Sequence, residues 1–444
     1  MRSKLIALGS GIVTVLFLFS SIAASALSTQ TTNTQTFSTP TNLSNDSYQA
    51  KYPWVANVGN NVYVAWEEAS HGIWFRASTD DGSTWSSAVR LSSPGGVVQY
   101  PIVYALGSDV YVVWAQSVSN VLQIFFAAST TNGTSFSPAQ QLTSGSSTNG
   151  FITPVIAASG SDVYLAYTAN GKNSYVLAND NYGAAGSWTA PLHYSDTHEP
   201  QIAAEGTNAY AIADGVGIAV TNNGGQNWSI VSSSTNEGDE PWVAASGIYV
   251  YVVSQTKTNN GNIHFFYSNN YGKAGSWTAE PGVDISGNLT DTWEPQLTVS
   301  GSYLFVTFHD LASPITNYVV MSSNNGRTWS PPAVISGSYH ALSWPYQVAT
   351  TGCGGSYSCS GSAQDVSTVW SAQINTMWEV FVSSSIDSGS TWSSVNVSNN
   401  PSGTTAAQNN DIATASIAAN GATAFVVWQQ TSSSGQSQVY FATS

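Results

Sequence analysis

Three glutamates in the middle of the chain each stand immediately before a proline, at Glu199-Pro200, Glu240-Pro241 and Glu294-Pro295. Asp196 and His198 lie just upstream of the first, Asp239 of the second, and Asp291 and Trp293 of the third; Trp344-Pro345 repeats the arrangement further on. A second group, Glu67, Glu68, His71, Asp214, His309 and Asp310, follows short alternating apolar runs of the kind that form strands. Acids interleaved with aromatics support three chemistries. Rings stacked on pyranose faces, with acids bonding hydroxyls, bind sugar. A pair of acids pushed to different pKa values by crowding hydrolyses a glycosidic bond. Several hard oxygens without basic neighbours hold Ca²⁺, the one cofactor the sequence raises. Against all three stands a plainer reading, that the chain repeats a convenient solvated corner. The sequence gives no separation between carboxyl groups, so the alternatives stay open.

Other chemistries find no support. The chain has no G-x-S-x-G elbow, Walker loop, H-E-x-x-H or dinucleotide fingerprint after a strand. His198, His264 and His309 stand in different segments and read as hydrogen-bonded loop or strand residues rather than metal ligands. Trp66, Trp114, Trp370 and Trp428 recur at equivalent strand ends and read as core.

Composition narrows the setting. Of 444 residues 42% are hydrophobic and only 7% charged, so the chain buries a large core without salt-bridged helices. Nine basic residues against 24 acidic ones give a net charge of −15, which makes nucleic acid and anionic lipid poor partners. Met1–Lys4 is basic, Leu5–Ala23 mostly apolar, and Ala24-Ser25-Ala26 small, the pattern of a signal peptide over residues 1–26, with an uncleaved anchor as the rival. Residues 27–35 read as a flexible segment and 36–444 as a single domain without a further membrane span. The expectation is a secreted or cell-surface monomer. Cys353 and Cys359 would close a small disulfide ring in an oxidising compartment, and Asn42, Asn45, Asn132, Asn227, Asn288 and Asn396 open glycosylation sequons. A surface of Ser, Thr, Asn and Gln would also stay soluble in acid.

One turn recurs and organises everything else. Ser78-Thr79-Asp80-Asp81-Gly82-Ser83-Thr84-Trp85 is repeated, with variation, at Ser129–Phe136, Thr221–Trp228, Ser322–Trp329 and Ser385–Trp392, and with a two-residue insertion at Asn179–Trp188 and Ser268–Trp277. Upstream of each lie a Pro, an apolar segment, a Gly or Asn, and an alternating strand such as Val62-Tyr63-Val64-Ala65-Trp66. That spacing predicts four short strands per unit, with units opening near Pro53, Pro101, Pro154, Pro200, Pro241, Pro295 and Pro345 and an eighth near Asp411. The eighth lacks its last strand. Phe37-Ser38 and Leu43-Ser44 resemble Trp85-Ser86 and Leu91-Ser92, so the N-terminal segment is expected to complete it and close a ring. The prediction is an all-β propeller of eight four-stranded antiparallel blades, with seven as the alternative if the short unit from Pro200 to Ser234 merges with its neighbours.

The S-x-D-x-G-x-T-W turn resembles the Asp box, or BNR repeat, of the sialidase superfamily, and the resemblance covers essentially all of Phe37–Ser444. It implies a propeller in which these turns lie opposite the active face and serve structure: Asp80, Gly82 and Trp85, Asn223, Gly225 and Trp228, Asn324, Gly326 and Trp329, and Asp387, Gly389 and Trp392. A turn tolerates Asn for Asp, because either side chain accepts N–H bonds within the turn. A sialidase also needs three arginines for the substrate carboxylate, a Tyr activated by a Glu, and an acid/base Asp. Outside the leader only Arg76, Arg90 and Arg327 are present, at positions that do not suit a triad, and Lys51 stands where the family has its first Arg. Sialidase activity is therefore disfavoured. On a propeller, the Glu-Pro corners and second-strand loops converge at one rim. The site candidates are Glu67, Glu68, Glu199, Asp214, Asp239, Glu240, Asp291, Trp293, Glu294, Asp310 and Trp344. The expected function is binding of a glycan or another extracellular ligand, with glycoside hydrolysis and a protein-recognition scaffold as alternatives.

Overall fold

A computed structural model describes residues 35–444 except 69, 145–152, 232–237, 257–260, 279–281, 313, 337–340, 351–364, 375–376, 399–414 and 432–434; for 216, 341–350 and 377 it describes backbone only. The leader at 1–26 and the pair Cys353 and Cys359 lie outside the described residues, as does nearly all of 27–35.

The strands form eight four-stranded antiparallel sheets, each in simple sequential order except the last. Blade 1 comprises Ala50–Val58, Asn61–Glu68, Gly72–Ser78 and Val89–Arg90, and blade 2 Val98–Leu106, Asp109–Val118, Val121–Ser129 and Gln140–Gln141. Blades 3 to 7 begin with Pro154–Ser159, Gln201–Glu205, Gly238–Ser246, Thr292–Ser300 and Ala341–Thr350. Blade 8 takes Ala415–Asn420, Thr423–Thr431 and Ser437–Thr443 from the C-terminal end and its outer strand, Thr41–Asn42, from the N-terminal end. Thr41 pairs with Phe441 and Asn42 with Tyr440, while the N–H groups of Ser38 and Leu43 donate to the carbonyls of Thr443 and Val439, both at 2.8 Å. First strands pack on first strands around the whole circle, blade 8 against blade 1 included, which places them at the axis. The seven-blade alternative is excluded: the short unit after Pro200 forms its own sheet, Gln201–Glu205, Asn208–Ala213, Val216–Thr221 and Ser229–Val231. The propeller that the resemblance to sialidases implies is the fold of this chain.

Alternation along the strands buries both faces of each blade. Trp66, Trp114, Trp370 and Trp428 are fully buried at the blade interfaces, as their recurrence predicts. The recurring turns join third to fourth strands and therefore lie at the end opposite the first-strand starts. Ser78 and Asp80 organise the first of them: Gly82 N–H donates to Ser78 Oγ at 2.9 Å, Thr84 N–H to Asp80 Oδ1 at 2.8 Å, and Thr84 Oγ1 to Asp80 Oδ2 at 2.7 Å. Asn223, Asn324 and Asp387 accept the equivalent N–H from Asn227, Thr328 and Thr391. The turn aromatic reaches back to the preceding blade: Phe136 meets Phe75, Trp188 meets Phe126, Trp329 meets Phe265 and, across the closing seam, Trp85 meets Phe441, all edge-on at 4.8–5.0 Å. Each box thus stitches two blades together.

Candidate functional site

The first strands of blades 1, 2, 5 and 6 carry the same irregularity. At the X-Pro step each has one residue more than its partner, as between Asp239 and Trp242 opposite Gln255 and Val253, which is a β-bulge. The residue before the proline lies in the left-handed region: Tyr52 at φ 50°, Tyr100 at 52°, Glu240 at 49° and Glu294 at 54°, with Glu199 of blade 4 at 57°. A non-glycine residue held there costs on the order of 1–3 kcal/mol, and such strain concentrates where side chains are aimed for use. Nothing in the sequence signals it, since a residue before proline ordinarily favours extended backbone.

Three of these residues, Glu199, Glu240 and Glu294, line a pocket of about 320 Å³ at the axial end of blades 3 to 6, together with Trp242, Gln201 and Gln296. That volume lies at the lower end of the range for small-molecule sites. Trp242 and the two glutamines were not anticipated from sequence. Each stands immediately after the Pro of its Glu-Pro corner, and that fixed offset is the signal that would have found them. Among the described residues no Lys or Arg lines it; Lys257 lies outside them.

The acids are linked from blade to blade. Asp214, in the turn after the second strand of blade 4, accepts Glu240 N–H through Oδ1 at 3.0 Å. Glu240 Oε2 in turn accepts Glu294 N–H at 3.0 Å. Glu294 Oε2 lies 3.8 Å from His309 Nδ1 on the second strand of blade 6. On the other side, His198 Nδ1 is 3.1 Å from Asp214 Oδ2 and 3.5 Å from Glu199 Oε1, a trio whose donor atoms are close enough to share a cation.

Burial sets the protonation. Glu294 is pushed up to about 9 by desolvation and then by the charges of Glu240 and Glu199. Glu240 is raised to about 7 by desolvation, Glu199 and Asp239, against which the Glu294 N–H favours its charged form. Glu199 is raised by burial, an effect opposed by His198 and reinforced by Asp239. His309 is lowered to about 4 by burial, an effect that Asp291 opposes. Near neutral pH Glu294 and His309 are therefore both held in their uncharged forms, while Glu240 titrates well above an ordinary carboxyl.

The remaining candidates do not line this pocket, although the charges of Asp239 and Asp291 reach it. Asp291 accepts Trp293 Nε1–H at 2.9 Å, and Asp310 accepts Ala312 N–H at 2.9 Å, which caps the loop after the second strand. Glu68 is buried in blade 1, accepts Trp66 Nε1–H at 3.0 Å and is raised to about 7 by burial, with Asp46 beside it. Glu67 lies near Tyr100, whose ring is 4.9 Å from that of Tyr52. Burial, then Tyr52 and Glu67, push the Tyr100 phenol up to about 12, the opposite of an activated nucleophile. Arg76 sits on the third strand of blade 1, Arg90 donates to the Ser93 carbonyl at 3.2 Å on the outer strand, and Arg327 contacts Tyr249 Oη at 3.4 Å from an opposite-end turn. For Trp344 the backbone alone is described, within the first strand of blade 7.

No protein-family model matches the chain, and neither does any curated protein. Among solved structures it is similar to an ulvan lyase, a polysaccharide lyase solved bound to -[GlcA(1-4)Rha3S]-, with TM-score 0.50 and 11% identity over 88% of this chain and 93% of that one. It is also similar to the NanB sialidase of Streptococcus pneumoniae, with TM-score 0.42 and 10% identity over 89% and 93%. A Trypanosoma rangeli sialidase superposes with TM-score 0.40 and 11% identity over 89% of this chain and 55% of that one. At these identities the likeness to the lyase is one of fold, and the two sialidase superpositions are looser still.

Proposed function

We propose that the protein is a secreted propeller that binds a glycan in the axial pocket of blades 3 to 6. The observation that carries the reading is the convergence of Glu199, Glu240 and Glu294 from three adjacent blades on one pocket whose wall also holds Trp242. Carboxylic acid, carboxylate and amide side chains beside an indole provide a mixed set of donors and acceptors with an apolar face, the complement of a sugar's hydroxyls and ring. The ulvan lyase adds an analogy at the level of fold alone. Secretion rests on the leader-like residues 1–26.

The split between Glu240 at about 7 and Glu294 at about 9 favours a second reading, acid/base cleavage of the bound sugar. Glu294 would act as the acid and ionised Glu240 as the base, with an optimum between those two values.

The test is a glycan array probed with the protein lacking its leader, run beside a panel of chromogenic glycosides and polysaccharides from pH 4 to 9, with Glu240→Gln in parallel. Saturable glycan binding without turnover supports the first reading. Turnover abolished in Glu240→Gln replaces it with the second. No glycan bound or cleaved sinks both and leaves the fold to a protein-recognition role.

A further inference from the structure

His198, Glu199 and Asp214 bring three side chains of metal-ligating type together. One imidazole nitrogen, His198 Nδ1, faces two carboxylates at once, Asp214 Oδ2 at 3.1 Å and Glu199 Oε1 at 3.5 Å. A single N–H bonds one of them, whereas a cation held by the three groups would serve both carboxylates at once. The three donor atoms lie within 4.8 Å of one another. Ligands held about 2.0–2.2 Å from a tetrahedral zinc ion lie roughly 3.3–3.6 Å apart, so the two measured separations match two edges of that polyhedron, and the half-exposed Glu199 would close the third.

Neighbouring groups fix the most buried member. The Asp214 side chain is 4% exposed, its Oδ1 is clamped by Glu240 N–H at 3.0 Å, and its backbone N–H donates to the His198 carbonyl at 3.2 Å. The following Gly215 N–H is tied to the Gly238 carbonyl of the next blade at 2.8 Å. Asp214 Oδ2 is thus turned to the cluster by a partner outside it, the outer-sphere support that orients a metal-binding carboxylate. His198 and Glu199 are half-exposed, which leaves the ion a path from solvent and room for water as a fourth ligand.

We infer that His198 Nδ1, Glu199 Oε1 and Asp214 Oδ2 form a binding site for a divalent transition metal of the zinc type. The imidazole selects against calcium and magnesium, which prefer all-oxygen shells. The site replaces the plainer reading of His198 as a hydrogen-bonded loop residue. The site shares Glu199 with the axial pocket, but its readout needs no glycan and so is distinguishable from the proposed glycan binding.

The experiment uses untagged protein stripped with chelator, titrated calorimetrically with zinc and separately with calcium, beside His198→Ala and Asp214→Asn. Asn at 214 keeps an oxygen for Glu240 N–H, and His198 is exposed enough to be replaced without loss of the fold. The expected result is a single zinc per chain, an upward shift in melting temperature reversed by EDTA, and affinity weakened by about tenfold or more in either variant. Zinc affinity unchanged in both variants, no zinc bound, or calcium bound here in preference to zinc would each overturn the inference.

Discussion

The carboxylate of Glu240 accepts the backbone N–H of Glu294 at 3.0 Å across the seam between blades 5 and 6, and Asp214 does the same for Glu240 across the preceding seam. Two residues held in left-handed conformations are thus each pinned by an acid from the blade before. The bond satisfies a donor that the bulge removes from the strand ladder, and it orients the accepting carboxyl at the rim of the pocket. It also separates the two acids electrostatically. A backbone N–H favours the charged form of Glu240, and that charge then raises Glu294 further.

This clustering makes stability fall as pH rises. Glu68, Glu240 and Glu294 have folded pKa values of about 7, 7 and 9, above their ordinary 4.5, so the folded state holds protons that the unfolded state releases. Their contribution is complete below about pH 4.5 and is lost as pH climbs through 7 and 9. His309, lowered to about 4, works the other way between about pH 6.5 and 4, but is one group against three. Asp80 and Asp387, held low by the Thr hydroxyl and N–H bonds of their turns, set the acid limit below about pH 3.8. The melting temperature is expected to be higher at pH 5 than at pH 8, and Glu240→Gln with Glu294→Gln to flatten the difference. Scanning fluorimetry across that range checks it; a melting temperature that rises toward pH 8 contradicts the assignment.

Gly82 is expected to be irreplaceable at the closing seam. Its φ is +82°, and a Cβ there would stand 2.2 Å from the buried ring of Phe441 in blade 8. Gly82→Ala should therefore destabilise by on the order of 1–3 kcal/mol, read by chemical denaturation. Gly59→Ala has open space at a similarly positive φ and separates backbone strain from the clash.

The recurring turns should prove structural. Asp80→Ala removes the acceptor for both Thr84 donors on the end opposite the pocket. It should lower the melting temperature while leaving ligand affinity unchanged. Altered affinity would place function in the turn.

Much of this architecture was legible because the repeat spells it out. Seven recurring turns, an eighth alternating strand without one, and the match of Phe37-Ser38 to Trp85-Ser86 point to eight blades closed by the N-terminal segment, with seven the alternative that only the sheet of the short unit after Pro200 excludes. The site was legible only in outline. Register placed Glu199, Glu240 and Glu294 at one rim, but the bulges that reverse φ at X-Pro leave no trace in residue type. Glu68 and Asp310 share the sequence position of rim acids, yet serve Trp66 and a loop N–H, because a side chain's partner depends on its local turn. The approach of His198 to Asp214 depends on the two-residue turn of the smallest blade.

The central claim is tested most directly by calorimetric titration of the tightest-binding oligosaccharide from the array into wild-type protein, Trp242→Ala and Asp80→Ala at one pH. Losing the indole wall should weaken affinity by about tenfold or more, whereas the opposite-end variant, itself destabilised, should bind as wild type does. Equal affinity in Trp242→Ala and wild type would contradict a glycan site at the axis.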